Sequence, residues 1–83
     1  MDLLYFAWVR ERIGTGQERL DPPAAVQNVA DLIGWLATLS PGHAEAMREP
    51  GQLRAAIDQK FVPLDAPLAG AREVALFPPV TGG

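Results

Sequence analysis

The sequence predicts a single α+β domain: a mixed sheet of four to five strands with one main helix packed on one face. Three observations carry that reading. The chain has 83 residues, 48 % of them apolar, enough for one modest core that buries roughly 63 % of the unfolded surface. Short apolar stretches of strand length stand near both ends of the chain, and between them the apolar period switches to that of a helix. Strands gathered around one helix, rather than alternating with several, belong to the α+β class.

Taken in order, Leu3 to Val9 is an unbroken apolar run rich in aromatic and branched residues. It is short for a helix, so it reads as a central strand buried on both faces. Gly14-Thr15-Gly16 reads as a hairpin turn into an antiparallel partner strand over Gln17 to Asp21. After Pro22-Pro23, Val29, Leu32, Ile33 and Leu36 fall at i, i+3, i+4 and i+7, the stripe of an amphipathic helix. Asn28 stands at the N-cap with Asp31 three residues on as a weak capping box, and Ser40-Pro41-Gly42 is expected to end the helix. Gly34 in its middle costs about 1 kcal/mol relative to Ala, so packing must hold it. Trp35 lies off the stripe and is assigned to the helix flank. His43 to Arg48 adds a short helical turn. Leu53 to Ile57 and Phe61 to Leu64 form a hairpin around Asp58-Gln59-Lys60, with Pro63 confining the second arm to an edge. Glu73 to Phe77 is the last strand. The predicted order is ββαβββ over residues 1–77, followed by a tail, 78–83.

Composition removes whole classes of function. Lys plus Arg is 7 against 10 acidic residues, a net charge of −3, so the footprint of a nucleic-acid or anionic-membrane binder is missing. The chain has no Cys, hence no disulfide, thiolate metal site or cysteine nucleophile. Its first apolar run is too short to span a membrane and lacks a basic flank, so a cytoplasmic protein is expected. No phosphate-loop motif is present. His43, the only histidine, lies in a polar Pro-Gly-rich stretch and reads as a solvated surface residue rather than a metal ligand. Asp31, Glu45, Glu49 and Glu73 read as solvated face residues without partners for acid/base work. Lys60, Thr15 and Thr81 lack a neighbouring base to activate them. No catalytic side-chain constellation emerges.

The C-terminus stands out instead. Pro78-Pro79 stiffens the exit from the last strand, and Val80-Thr81-Gly82-Gly83 continues without a bulky or charged side chain. Six extended residues reach at most about 20 Å. Two glycines without Cβ can pass a constriction and take angles closed to other residues. The group so delivered is the α-carboxylate of Gly83, ionised and unreactive at neutral pH, so something else must activate it.

Two blocks carry a resemblance. Phe6-Ala7-Trp8-Val9-Arg10-Glu11-Arg12-Ile13-Gly14 and Glu73-Val74-Ala75-Leu76-Phe77-Pro78-Pro79-Val80-Thr81-Gly82-Gly83 are similar to the opening and closing segments of the small, sulfur-carrying subunits of molybdopterin synthase, a ubiquitin-like β-grasp family. Trp8 departs from the family, which often has a polar residue there. The resemblance implies that an E1-like adenylyltransferase, using ATP, activates Gly83 as an acyl-adenylate. Sulfur transfer then makes a thiocarboxylate, and the tail enters the large synthase subunit, where sulfur passes to cyclic pyranopterin monophosphate to build the dithiolene of molybdopterin. It further implies a heterotetramer with that large subunit, no bound cofactor or metal, and sulfurtransferase activity only as the donating half. A sulfur carrier for thiamine synthesis or tRNA thiolation, a ubiquitin-like modifier joined to lysines, and a plain structural domain remain as alternatives.

Strand alternation adds an expectation. If the helix covers the face bearing Tyr5, Ala7 and Val9, then Phe6 and Trp8 point the other way with Phe77, joined by Phe61 from the hairpin. These four rings are expected to form an exposed patch at the root of the tail, docking both partners, the alternative being a larger core that holds them inside. Arg10 is expected either to meet a partner's acidic group or to solvate a turn.

Overall fold

The first apolar run serves two elements. In the computed structural model, which describes residues 1–79, the order is β1 (Asp2–Tyr5), α1 (Ala7–Ile13), β2 (Gln17–Arg19), α2 (Val29–Leu36), α3 (Pro41–Ala46), a 3-10 turn at Pro50–Gln52, β3 (Arg54–Ile57), β4 (Lys60–Val62) and β5 (Glu73–Phe77). The strand expected over Leu3 to Val9 thus stops at Tyr5. Ala7 takes a left-handed φ of 53°, which breaks the extended course, and Val9 with Ile13 then packs at helical spacing on the core. A seven-residue apolar run does not separate strand from helix by periodicity alone. Gly14 is correspondingly the left-handed C-cap of α1, at φ 97°, rather than the start of a hairpin turn. The partner strand β2 is antiparallel to β1 as expected, but a helix joins them.

The second correction concerns the middle. Asn28 caps α2 through an Oδ1 that accepts from the Asp31 amide at 2.8 Å, and Asp31 Oδ2 accepts from the Gln27 amide at 3.1 Å. The helix ends at Leu36, and Ser40-Pro41 opens α3 instead of closing α2. Ser40 Oγ accepts from the His43 amide at 3.1 Å, and Pro41 takes the first turn, where its missing N–H costs nothing. The described residues therefore carry three α-helices in place of one helix and a turn. In the hairpin, β4 begins at Lys60 and ends before Pro63, one residue earlier at its start than expected.

The five strands form one sheet in the order β2-β1-β5-β3-β4. β1 and β5 run parallel at its centre and the other pairs are antiparallel. β4 is an edge, as Pro63 requires. Leu3, Tyr5, Val74 and Leu76 point to one face and meet Val9, Val29, Leu32, Ile33 and Leu36 in a single core cluster, with Trp35 packed on its flank. Gly42 marks where α3 crosses the end of α1: a Cβ there would stand 2.5 Å from the Arg12 carbonyl oxygen.

Candidate functional site

Residues paired across strands share a face, so the register defines the surface opposite the helices. Leu4 pairs with Ala75, Ala75 with Ala56, and Ala56 with Phe61. One apolar row thus crosses four strands, small in the middle and large at its end. The two alanines leave a shallow groove of about 510 Å³, bordered by Phe6, Phe61 and Phe77 and edged by Gln59 and Glu73. Phe61 is 82 % exposed and Phe6 49 % exposed, so with the groove they make a contiguous apolar patch open to solvent rather than scattered single rings. The Phe61 and Phe77 rings lie 5.6 Å apart between centroids. The Phe6 amide donates to the Leu76 carbonyl at 3.3 Å, which fixes that ring at the end of β1 even though the strand has ended.

Three of the four rings expected together are therefore brought together. Trp8 is not among them. It lies on α1, half-buried, with the Arg12 guanidinium 4.3 Å from its ring centroid, because the chain turns helical at Ala7 and strand alternation no longer applies. Arg10 is exposed on the same helix, its stem beside Gly16. Phe77 passes directly to half-buried Pro78 and Pro79. Val80, Thr81, Gly82 and Gly83, the rest of the tail named from the sequence, lie outside the described residues.

The helical face holds a polar cluster that the sequence reading missed. His43 is only 8 % exposed, not a solvated surface residue. Its Nε2 lies 2.6 Å from Glu18 Oε2 and its Nδ1 2.7 Å from Ser40 Oγ. The Tyr5 hydroxyl donates to the same Glu18 oxygen at 2.7 Å. Burial pushes the Glu18 carboxyl up, but hydrogen bonds from His43 and Tyr5 and the attraction of His43 outweigh it and hold Glu18 below the ordinary carboxylate range. Burial, then the bond to Glu18 and its charge, push the Tyr5 hydroxyl well above its usual value. The signal available in sequence was Tyr5 itself: a tyrosine on the core side of a strand needs a partner for its hydroxyl. Nothing in the local pattern pointed to Glu18 and His43, which are 25 residues apart. Among the described residues no group of three His, Cys, Asp or Glu could hold a metal ion, and no helix is long and apolar enough to cross a membrane.

Known proteins share this framework. The ThiS family model matches residues 3–83. The chain is 43 % identical over 81 residues to the molybdopterin synthase sulfur carrier subunit of Escherichia coli, covering 98 % of this chain and 96 % of that one. It is 38 % identical over 83 residues to the subunit of the same description from Haemophilus influenzae, covering 100 % and 99 %. The crystal structure of SAMP1 from Haloferax volcanii superimposes with a TM-score of 0.70 at 25 % identity, covering 100 % of this chain and 98 % of that one. The sheet and its helices are thus the ubiquitin-like β-grasp that the two sequence blocks implied.

Proposed function

From the premise that the chain belongs to the ThiS family, we propose that it is the sulfur carrier and small subunit of a molybdopterin synthase, acting in the cytoplasm. The observation that carries this reading is the placement of the open aromatic face. Phe6, Phe61 and Phe77 border a groove at the end of β5, where the chain continues to Pro78-Pro79 and on to Gly82-Gly83. A partner that seats on those rings is positioned to receive the terminus.

The chemistry runs through the backbone end. At neutral pH the Gly83 carboxylate is ionised and has no leaving group. An E1-like adenylyltransferase supplies one: a carboxylate oxygen attacks the α-phosphorus of ATP, releasing pyrophosphate and leaving an acyl-adenylate. A sulfur nucleophile then displaces AMP, giving the thiocarboxylate. In the large subunit that sulfur passes to cyclic pyranopterin monophosphate, two rounds building the dithiolene, and Gly83 returns as the carboxylate. The chain contributes no catalytic side chain and binds no cofactor; ATP is consumed by the activating partner. Two copies joined to two large subunits make the heterotetramer.

The test has two stages. The chain is produced with an E1-like activating enzyme and a sulfur source, and intact-mass analysis is expected to show one terminal oxygen replaced by sulfur, absent when Gly83 is deleted. That species is then mixed with the large subunit and pyranopterin precursor. Molybdopterin is expected; a thiocarboxylate that forms but yields no product would overturn the assignment in favour of another sulfur acceptor.

A further inference from the structure

A second feature lies at the same end of the sheet. Phe6 leads into α1, so Trp8 stands two residues from the open face. Gln52 stands two residues before Arg54, and Arg54 pairs with Phe77 across β3 and β5. Between these two walls is a cleft of about 250 Å³ lined by Trp8, Arg12, Ala46, Arg48, Glu49 and Gln52. Arg54 thus stands beside the last residue of β5, and Arg12 and Arg48 line the neighbouring cleft.

Their charges are unequally compensated. Arg48 has Glu45 at 3.4 Å, and Glu49 also lines the cleft. Arg12 and Arg54 have no carboxylate within 4.0 Å among the described residues. Both are nevertheless held. Arg12 stacks on Trp8 at 4.3 Å, an arrangement that leaves the edge of a guanidinium able to donate. Arg54 Nη1 donates to the Leu53 carbonyl at 2.8 Å and the Gly51 carbonyl at 3.2 Å. Two pre-positioned guanidinium groups with no carboxylate partner among the described residues, in a chain of net charge −3, can take carboxylates from outside through their remaining N–H groups.

We propose that Trp8, Arg12 and Arg54 form a cationic collar at the root of the tail that receives an acidic segment of the large subunit as the tail enters it. The inference rests on the function proposed above, because only a protein that takes the tail is brought against this end of the sheet. Charges at the rim of an interface act mainly on the rate of encounter, through steering that salt screens. The collar accordingly selects and orients the partner, while the aromatic face supplies the adhesion.

Association of this chain with the molybdopterin synthase large subunit of the same organism, followed over a range of salt concentrations, tests it. Replacing both Arg12→Glu and Arg54→Glu is expected to slow association about tenfold at low salt and to flatten its salt dependence. Arg54→Glu alone is expected to show part of the effect and keeps the Trp8 stack intact. Arg72→Glu makes the same charge change beyond the other end of β5 and is expected to act far less. Arginine variants that associate no differently from Arg72→Glu would overturn the collar while leaving the proposed function standing. A wild-type chain that does not bind the large subunit would overturn both. If Phe61→Asp binds as tightly as wild type but the collar variants associate slowly, the aromatic face falls and the collar stands.

Discussion

The two faces of the central sheet come from the same strands and obey the same alternation, yet they are finished in opposite ways. On one, Leu3, Tyr5, Val74 and Leu76 are each no more than 1 % exposed, sealed by three helices. On the other, the same strands present Leu4, Ala75 and Ala56 as a shallow floor with Phe6 and Phe61 standing out at its edge. Large side chains fill the covered face, where every methylene adds to stability. Small ones hollow the open face, where a filled surface would leave nothing to grip. The comparison assigns stability to one face and leaves the other free for the recognition proposed above, and substitutions should separate them.

The largest effect is expected on the covered face. Leu32 is fully buried in the core cluster, and Leu32→Ala should cost about 2–5 kcal/mol through lost transfer energy and a residual cavity. Denaturant midpoints at unchanged m would report it. Affinity of the fraction that remains folded should hold, since Leu32 does not reach the groove; a comparable loss of affinity would mean that the faces are coupled. On the open face, Phe61→Asp should weaken binding of the large subunit by about 2 kcal/mol or more, the loss expected when an aromatic anchor is replaced by a charge. Its melting temperature should hardly move, because a ring 82 % exposed has little burial to lose. A fall in stability without a fall in affinity would reverse the assignment. Between helices, Gly42→Ala forces a methyl against the Arg12 carbonyl at 2.5 Å, an overpacking worth about 1–3 kcal/mol. It should loosen α3 from α1 and leave Phe61 untouched.

How much of this was legible depended on whether the signal was local. The start of α2 at its Asn28–Asp31 cap and the last strand at Glu73–Phe77 carry their cues within a few residues and stand where the sequence placed them, and the second hairpin arm is an edge as Pro63 requires, though shifted to Lys60–Val62. Three of the four aromatic rings come together as expected because Phe61 and Phe77 lie in real strands and Phe6 directly follows one. Trp8 was misplaced because one backbone angle, at Ala7, turns strand into helix inside an apolar run whose composition suits both. Ser40-Pro41 was read as a stop because proline ends helices as readily as it begins them. His43 was given to solvent because its polar neighbours in sequence are not its neighbours in space. Tyr5, Glu18 and His43 come from a strand, its partner and a helix that meet only when the core closes.

That cluster gives the smallest effect and the finest test of the two faces, since it places a carboxylate with a lowered pKa on the covered face. Glu18 is held below its ordinary value of 4.5, so the folded chain takes up a proton there less readily than the unfolded chain does. Stability from this carboxylate is therefore fully present above about 4.5 and is lost as pH falls through the lowered folded value. Tyr5, pushed upward, remains a hydroxyl donor throughout this range. In Glu18→Gln the carboxylate is gone, and with it the pH-dependent contribution. Urea midpoints of wild type and Glu18→Gln, compared from neutral to acidic pH, should differ most near neutrality and converge as the medium is acidified. Parallel curves would show that Glu18 titrates alike in the folded and unfolded chains. Binding of the large subunit at neutral pH should be the same in both, because the cluster lies on the covered face. A loss of affinity in Glu18→Gln would place it in the recognition surface instead.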